Sequence, residues 1–310
     1  MDQDRSAEQA GFHRPVLVEE VVELMAPVVP GVVVDATFGG GGHSRRLLDE
    51  FGEDVTVIGI DRDPEAVANA TGLAATVVQG NFDQLGEIVS SVTDEELSGV
   101  LFDFGVSSHQ FDEASRGFSY HHEGPLDMRM GPDAPFDASV VVNEWPLDEL
   151  ARVIRRYGEE PLARRIATAI VAARPIDSTA TLSTVIAQAM PAARRRAGHP
   201  ARRSFQAIRM AVNEELGSIE SGLTQAMDLV RTGGRVVAIS YHSLEDRLVK
   251  RAFADRARGC TCPPDLPVCG CGNTAEVRVL TRKPIRASEG EVRANNRARS
   301  AVLRAVEKVA

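Results

Sequence analysis

Long apolar runs are missing from this chain of 310 residues. None approaches the roughly 18–20 residues that cross a bilayer as a helix. The segment Met1–Ala10 is polar and acidic and holds no apolar signal core, so the expectation is a cytoplasmic protein with a frayed start. Cysteine is absent outside one window of twelve residues, which contains Cys260, Cys262, Cys269 and Cys271. That confinement excludes a disulfide-stapled secreted scaffold. No repeat of roughly 20–50 residues and no low-complexity tract is present, which removes solenoid architectures. Lysine is scarce: of 35 basic residues only Lys250, Lys283 and Lys308 are not arginine.

What is there belongs to a globular protein, with 43% hydrophobic and 25% charged residues. At roughly 100–200 residues per domain the length suits one large or two modest domains, with a core that needs no staples. The net charge of −9 conceals an asymmetry. Residues 1–150 carry 7 Arg and 29 acids, a balance of −22, and the rest carries 28 basic residues and 15 acids, a balance of +13. Residues 151–213 alone set 12 Arg against Glu159, Glu160 and Asp177. An acidic half joined to an arginine-rich half points to a polyanion met on one face only. Solvated helix faces are the plainer alternative.

Strand and helix signals alternate over the first hundred residues. Gly31–Asp35, Val55–Ile60, Ala75–Gln79 and Val100–Phe104 read as strands, the second closed by Asp61. Helices are expected near Ser44–Phe51 and Gln84–Ser91, and another opens at Asp63-Pro64 with Asp as N-cap and Pro in the first turn. Continuous apolar strands separated by helices predict a parallel sheet buried on both faces. Gly105–Asn143 has no periodicity. Amphipathic spacing then returns at Leu147–Ile154, Leu162–Ala173 and Leu182–Met190. From about Ala201 one apolar stripe through Phe205, Ile208, Val212, Leu216, Ile219, Leu223, Met227 and Val230 predicts a single long helix, ended by Thr232-Gly233-Gly234. A strand over Arg235–Ser240 follows, then a helix whose Ser243-Leu244-Glu245-Asp246 has the form of a capping box. Glu276–Thr281 and Ala301–Val306 are the last strand candidates. The fold class is therefore α/β, a doubly wound sheet interrupted by helices. Its boundaries are 1–111 for the first part of the sheet domain, 112–213 for the insertion and 214–310 for the second part.

The motif Asp35-Ala36-Thr37-Phe38-Gly39-Gly40-Gly41-Gly42-His43-Ser44 lies between a strand and a helix. Its glycines let backbone approach a ligand closely, and the helix N-terminus favours a negative group. Asp61, at the end of the second strand, is placed to bind both hydroxyls of a ribose. A dinucleotide cradle would need a third glycine at Ser44. The acid Asp35 at the strand end suits instead a cationic ligand with an α-amino group and a sulfonium, which is the chemistry of S-adenosylmethionine. Phe82 can stack on adenine or belong to the core. Asp103 ends the fourth strand and faces the crevice in which open α/β sheets bind ligands, so it can accept an N–H from an incoming amine; the alternative is an acid that caps a turn.

The succession Phe12–Leu17, Asp35–Ser44, Asp61–Pro64, Asp103–Gln110, Arg116–Ser119, Gly124–Met130, Arg203–Arg209, Ser240–Arg247 and Asn296–Ser300 resembles the bacterial 16S rRNA (cytosine-N4)-methyltransferase family, in order from about Phe12 to Glu307. The resemblance implies a Rossmann-like class I methyltransferase sheet with an inserted all-helical domain. It also implies S-adenosylmethionine as cofactor and N4 of a decoding-centre cytidine in 16S rRNA, or in the small ribosomal subunit, as acceptor. The family's cofactor positions fall on Gly41, Gly42, His43, Asp61, Phe82, Asp103 and Gln110. DNA amino-methyltransferases carry an Asn/Ser/Asp-Pro-Pro-aromatic motif where this chain has Asp103-Phe104-Gly105-Val106. Local chemistry therefore names neither the acceptor atom nor the catalytic residue.

Arg202, Gln206, Arg209 and Asn213 recur along one helix face beside the apolar stripe, and with Arg203 and Arg194–Arg196 they suit phosphates and base edges. Arg202, Arg203, Gln206 and Arg209 are the expected RNA contacts. Tyr157 or Trp145 can stack a base, and His242 can line the base pocket. Asp127 and Arg129 are either a lid over the cleft or a mutual ion pair. Cys260-x-Cys262-x6-Cys269-x-Cys271 resembles a four-thiolate loop for a structural zinc.

Overall fold

The computed structural model describes residues 15–107, 110–111, 113–195, 199–260, 262 and 270–310. The frayed start expected at Met1–Ala10 lies outside these residues, as does Cys269. The chain divides into two compact units, one made of everything up to Gly105 together with Leu216–Ala310, the other of Val106–Glu215. The sequence reading sets these divisions at 112 and 213.

The first unit is built on one eight-stranded sheet. Its strands are β1 (Gly31–Asp35), β2 (Val55–Asp61), β3 (Ala75–Gln79), β4 (Leu97–Asp103), β5 (Val230–Ser240), β6 (Val277–Val279), β7 (Ile285–Arg286) and β8 (Val302–Lys308). They lie in the order β3-β2-β1-β4-β5-β8-β6, with β7 also paired to β8. The first five are mutually parallel, and β8 runs antiparallel to β5, β6 and β7. This is the open, Rossmann-like α/β sheet that the sequence predicts, parallel through its first five strands and closed by antiparallel ones. Alternation sorts the side chains by face. Val32, Val34, Ile58, Ile60, Val100 and Phe102 share one core with Leu85, Leu223 and Phe253, while Val33, Val57, Leu101, Val237 and Ile239 share the other with Val21, Met25 and Leu47. Burial on both faces explains why these strands are continuous apolar runs. The chain lays β2 and β3 on one side of β1, and β4 and β5 on the other. The order reverses between β1 and β4, where ligands of open α/β sheets bind, beyond the strand ends.

Helices α1 (Val18–Met25), α2 (Gly42–Phe51), α3 (Pro64–Ala68) and α4 (Leu85–Val92) belong to the sheet's first half. Asp63 caps α3 as expected, accepting from Glu65 N–H at 3.1 Å. The second unit contains α5 (Ala138–Asn143), α6 (Leu147–Gly158), α7 (Ala163–Ala172), α8 (Thr179–Ala189), a single turn α9 (Ala192–Arg195) and α10 (Arg202–Val212). Its core gathers Leu150, Ile154, Ile166, Leu182, Phe205 and Ile208. The first unit resumes at Leu216, one residue into α11 (Glu215–Leu229), and goes on to α12 (Ser243–Arg256) and α13 (Glu289–Ala294).

Three sequence expectations need correction. The long helix is two helices, because Asn213 ends α10 and Glu214 turns left-handed at φ 51°. Asn213 is buried and bridges within its unit: its Nδ2 donates to the carbonyls of Met128 at 2.7 Å and Arg209 at 2.9 Å, and its Oδ1 accepts from Met130 N–H at 2.8 Å. It is a structural strut and not part of an exposed polar line. The strand after α11 begins at Val230, ahead of the Gly233-Gly234 pair expected to separate them, and shifts register there. Within the segment without periodicity, α5 forms with Asp137 as its cap, accepting from Val140 N–H at 3.1 Å.

Candidate functional site

Three strands of the first unit end in an acid: β1 in Asp35, β2 in Asp61 and β4 in Asp103. Asp35 is almost fully buried. Its Oδ2 accepts the Ser44 hydroxyl at 2.7 Å, whereas its Oδ1 has no hydrogen-bond partner among the described residues. Burial raises its pKa against the opposing influence of His43. A buried carboxylate oxygen left unmatched is costly, so this atom is an acceptor open to a donor, best a cationic one.

Asp61 is held by backbone: Oδ2 accepts from Gly39 N–H at 2.7 Å and Oδ1 from Asp63 N–H at 2.8 Å. Burial pushes its pKa up to about 6 despite those bonds. Each oxygen keeps a second lone pair for a ribose hydroxyl.

The glycines between these acids serve the protein's own packing. Gly41 caps α2 at φ 68°, and a Cβ there would stand 2.7 Å from the Phe38 ring. Gly42 is packed against Pro15, 3.1 Å from where its Cβ would be. In the next position His43 is buried, its Nε2–H donating to the Val16 carbonyl at 2.9 Å. That bond leaves Nδ1 turned to Asp103, 3.8 Å from Oδ2.

Asp103 is gripped from another side by a residue that the sequence does not single out. The Tyr241 hydroxyl donates to its Oδ1 at 2.7 Å, and Asp103 N–H donates to the Thr37 hydroxyl at 2.6 Å. Burial raises the Asp103 pKa to about 6, with His43 and Tyr241 pulling the other way. The Tyr241 phenol is itself pushed well above its ordinary value by burial and by the Asp103 charge. The available signal for Tyr241 is its place at the carboxyl end of the fifth strand, the same signal that draws attention to His242.

His242 is the N-cap of α12 through Nδ1, while its buried Nε2 has no hydrogen-bond partner among the described residues. Its Nδ1 accepts from Glu245 N–H at 3.3 Å, and the Glu245 carboxylate accepts from the N–H of Tyr241 at 2.7 Å and of His242 at 3.2 Å. The capping box thus starts at His242, one residue before the expected Ser243. Phe82 follows β3, half-buried, edge-on to Phe102 at 5.6 Å and tilted to Phe104 at 5.7 Å. It forms the rim of the core, against Gly222 of α11. Gln110 belongs to the second unit, where it is buried and its Oε1 accepts from Ser107 N–H at 3.3 Å.

The arginine line of α10, also in the second unit, is unevenly available. Arg202 and Arg203 are exposed, and Arg203 donates to the Glu159 carbonyl at 3.1 Å. Gln206 Nε2 donates to the Tyr157 carbonyl at 3.1 Å. Arg209 makes a fork with Glu215, both bonds 2.7 Å. Asp127 and Arg129 form the ion pair, at 2.8 Å through both oxygens. Trp145 packs edge-on to Phe136 at 5.5 Å, and the Arg156 guanidinium lies 5.6 Å from the centre of the Tyr157 ring. Tyr120 and His199 stack at 4.3 Å with His121 beside them, a ring cluster the sequence gives no reason to expect. Cys260, Cys262 and Cys271 lie in the first unit between α12 and β6. No helix among the described residues is long and apolar enough to cross a membrane.

Residues 10–309 match the MraW methylase family. The chain belongs to this family. The match takes in both units and every residue of the site. Among its curated relatives is "Ribosomal RNA small subunit methyltransferase H" of Symbiobacterium thermophilum, 52% identical over 97% of this chain and 98% of that protein. A protein of the same name from Heliobacterium modesticaldum is 49% identical over 96% and 98% of the two chains. A solved rRNA methylase from Streptococcus thermophilus overlaps 96% of this chain and 99% of its own at 9% identity and a TM-score of 0.42, which adds nothing to the family assignment.

Proposed function

We propose that this MraW-family chain is an S-adenosylmethionine-dependent methyltransferase that methylates N4 of a cytidine in the decoding centre of 16S rRNA, working in the cytoplasm on that RNA or on the small ribosomal subunit. The observation that carries the cofactor is the buried Asp35 Oδ1, without a partner among the described residues, between two further strand-end acids. The names borne by the relatives support the RNA class.

S-adenosylmethionine, when bound, supplies an electrophilic methyl group on a sulfonium. Asp35 accepts its α-amino group, and the turn Gly41–His43 receives its carboxylate end at the start of α2. Asp61 accepts the ribose hydroxyls and Phe82 packs the adenine. Gln110 takes its cofactor role from the family resemblance. The cytosine amine shares its lone pair with the ring and loses a proton as N4 is alkylated. Asp103 orients that amine by accepting an N–H and then takes the proton, while Tyr241 and His43 hold the carboxylate in place. The base leaves its stack to reach this point. Arg202 and Arg203 meet RNA phosphates, and Gln206 and Arg209 fix the helix that presents them.

The test is methyl transfer by the purified full chain from labelled S-adenosylmethionine to small-subunit RNA, read by nucleoside mass spectrometry. N4-methylcytidine is expected, and Asp103→Asn should lower its rate by about 100-fold, within the range of general-base contributions. Cofactor binding without transfer, or label on another nucleoside, would overturn the proposal.

A further inference from the structure

None of the residues given a role in methyl transfer lies in the cysteine loop, yet its described thiols converge. Its two stems are tied together: Glu276 N–H donates to the Arg256 carbonyl at 3.0 Å, and the Arg256 guanidinium pairs with Glu276 and with Asp228, the latter at 2.9 Å. Above this base Gly259 lies beside Asn273–Ala275. The Sγ atoms of Cys260, Cys262 and Cys271 all fall within 4.8 Å of one another. Cys260 and Cys271 are 3.8 Å apart, sulfur to sulfur. A disulfide would need about 2.05 Å. Two sulfurs bound at about 2.3 Å to one tetrahedral zinc stand about 3.8 Å apart.

Backbone donors also face the sulfurs. Cys262 N–H points at the Cys260 sulfur and Gly270 N–H at the Cys262 sulfur, each at 3.4 Å. Such bonds favour thiolate over thiol. Three thiols on an exposed loop are not gathered by core packing, because Cys260 is exposed and Cys262 and Cys271 only half-buried. At the base, Glu276 and Asp228 are engaged by Arg256, so among the described residues the converging donors are sulfurs, and sulfur selects a soft, tetrahedral ion.

We propose that Cys260, Cys262 and Cys271 hold a structural zinc ion that closes this loop. Each ligating thiol gives up its proton to solvent, and a further donor completes the tetrahedron. The ion sets the loop's shape and leaves the methyl-transfer residues as they are.

The full chain should be produced with zinc in the medium and purified without chelator or immobilised-metal resin. Elemental analysis should return about one zinc per chain, and X-ray absorption should show at least three sulfurs at about 2.3 Å. Cys260→Ser and Cys271→Ser should each lose most of that zinc while keeping wild-type affinity for S-adenosylmethionine. Should either variant fail to fold, the absorption spectrum of the wild-type chain decides alone. A reduced wild-type chain that neither carries zinc nor takes up added Zn²⁺, or whose zinc is ringed by nitrogen and oxygen, would overturn the proposal.

Discussion

Asp61 shows how one side chain ties the glycine loop to the end of a strand. Its two oxygens are aligned by Gly39 and Asp63, so the carboxylate is already oriented for the ribose that the proposed function places there. Asp61→Ala should weaken S-adenosylmethionine binding by about 1.5–3 kcal/mol, the loss expected for hydrogen bonds to a charged group. Unchanged affinity in calorimetry would remove Asp61 from the site. Asp103 leads to a pH prediction. Its pKa of about 6 lies above the ordinary carboxylate value, so the folded chain binds its proton more tightly than the unfolded chain does. Its contribution to stability is full below about pH 4 and falls as pH rises through about 6. A carboxylate that accepts a proton works only when ionised, so kcat/KM should rise with pH around a midpoint near 6. Tyr241→Phe removes an O–H that favours the ionised form, and the midpoint should move up. A midpoint that stays put or falls would mean that another group limits the rate. The strand-end acids were legible in the sequence because each closes an apolar run. Tyr241 was not, since a tyrosine next to such a run looks like any other half-buried ring.

At the scale of elements, the sequence misled wherever distant backbone decided the outcome. The apolar stripe from Phe205 to Val230 continues across Glu214, and periodicity cannot register a break made by Asn213 reaching Met128 and Met130 more than eighty positions away. A two-residue strand such as β7 has no period to detect. Parallel strands, by contrast, were plain from their β-branched runs. Asn213→Ala should leave the Met128 carbonyl and Met130 N–H unmatched, at about 1–3 kcal/mol each. For a domain of this size that lowers the melting temperature by about 2–4 °C per kcal/mol, readable by calorimetry. No change would deny the strut. Gly41→Ala belongs here too. At φ 68° and with its Cβ on Phe38, the start of α2 must shift. A cost of about 1–2 kcal/mol follows from the backbone alone, together with weaker cofactor binding. Wild-type stability and affinity would show that the turn adapts.

For the whole molecule, the charge split of −22 against +13 falls between residues 1–150 and 151–310, inside the second unit and not at its borders. In the proposed function RNA meets the second unit through Arg202 and Arg203, both exposed at the start of α10. Replacing both with Ala should weaken RNA binding and lower its salt slope by about 0.7–0.9 for each phosphate no longer neutralised, with cofactor affinity kept. An unchanged slope would mean that this face is merely solvated. Composition revealed the split, but not which arginines are spent inside the unit, as Arg209 is on Glu215. The central claim is the modified atom. Mass mapping of small-subunit rRNA from cells with and without this protein tests it most directly. The decoding-centre fragment should be lighter by one methyl group when the protein is absent, and the missing group should map to N4 of a cytidine. An identical fragment in both cells, or a methyl missing from a different base, would contradict the account.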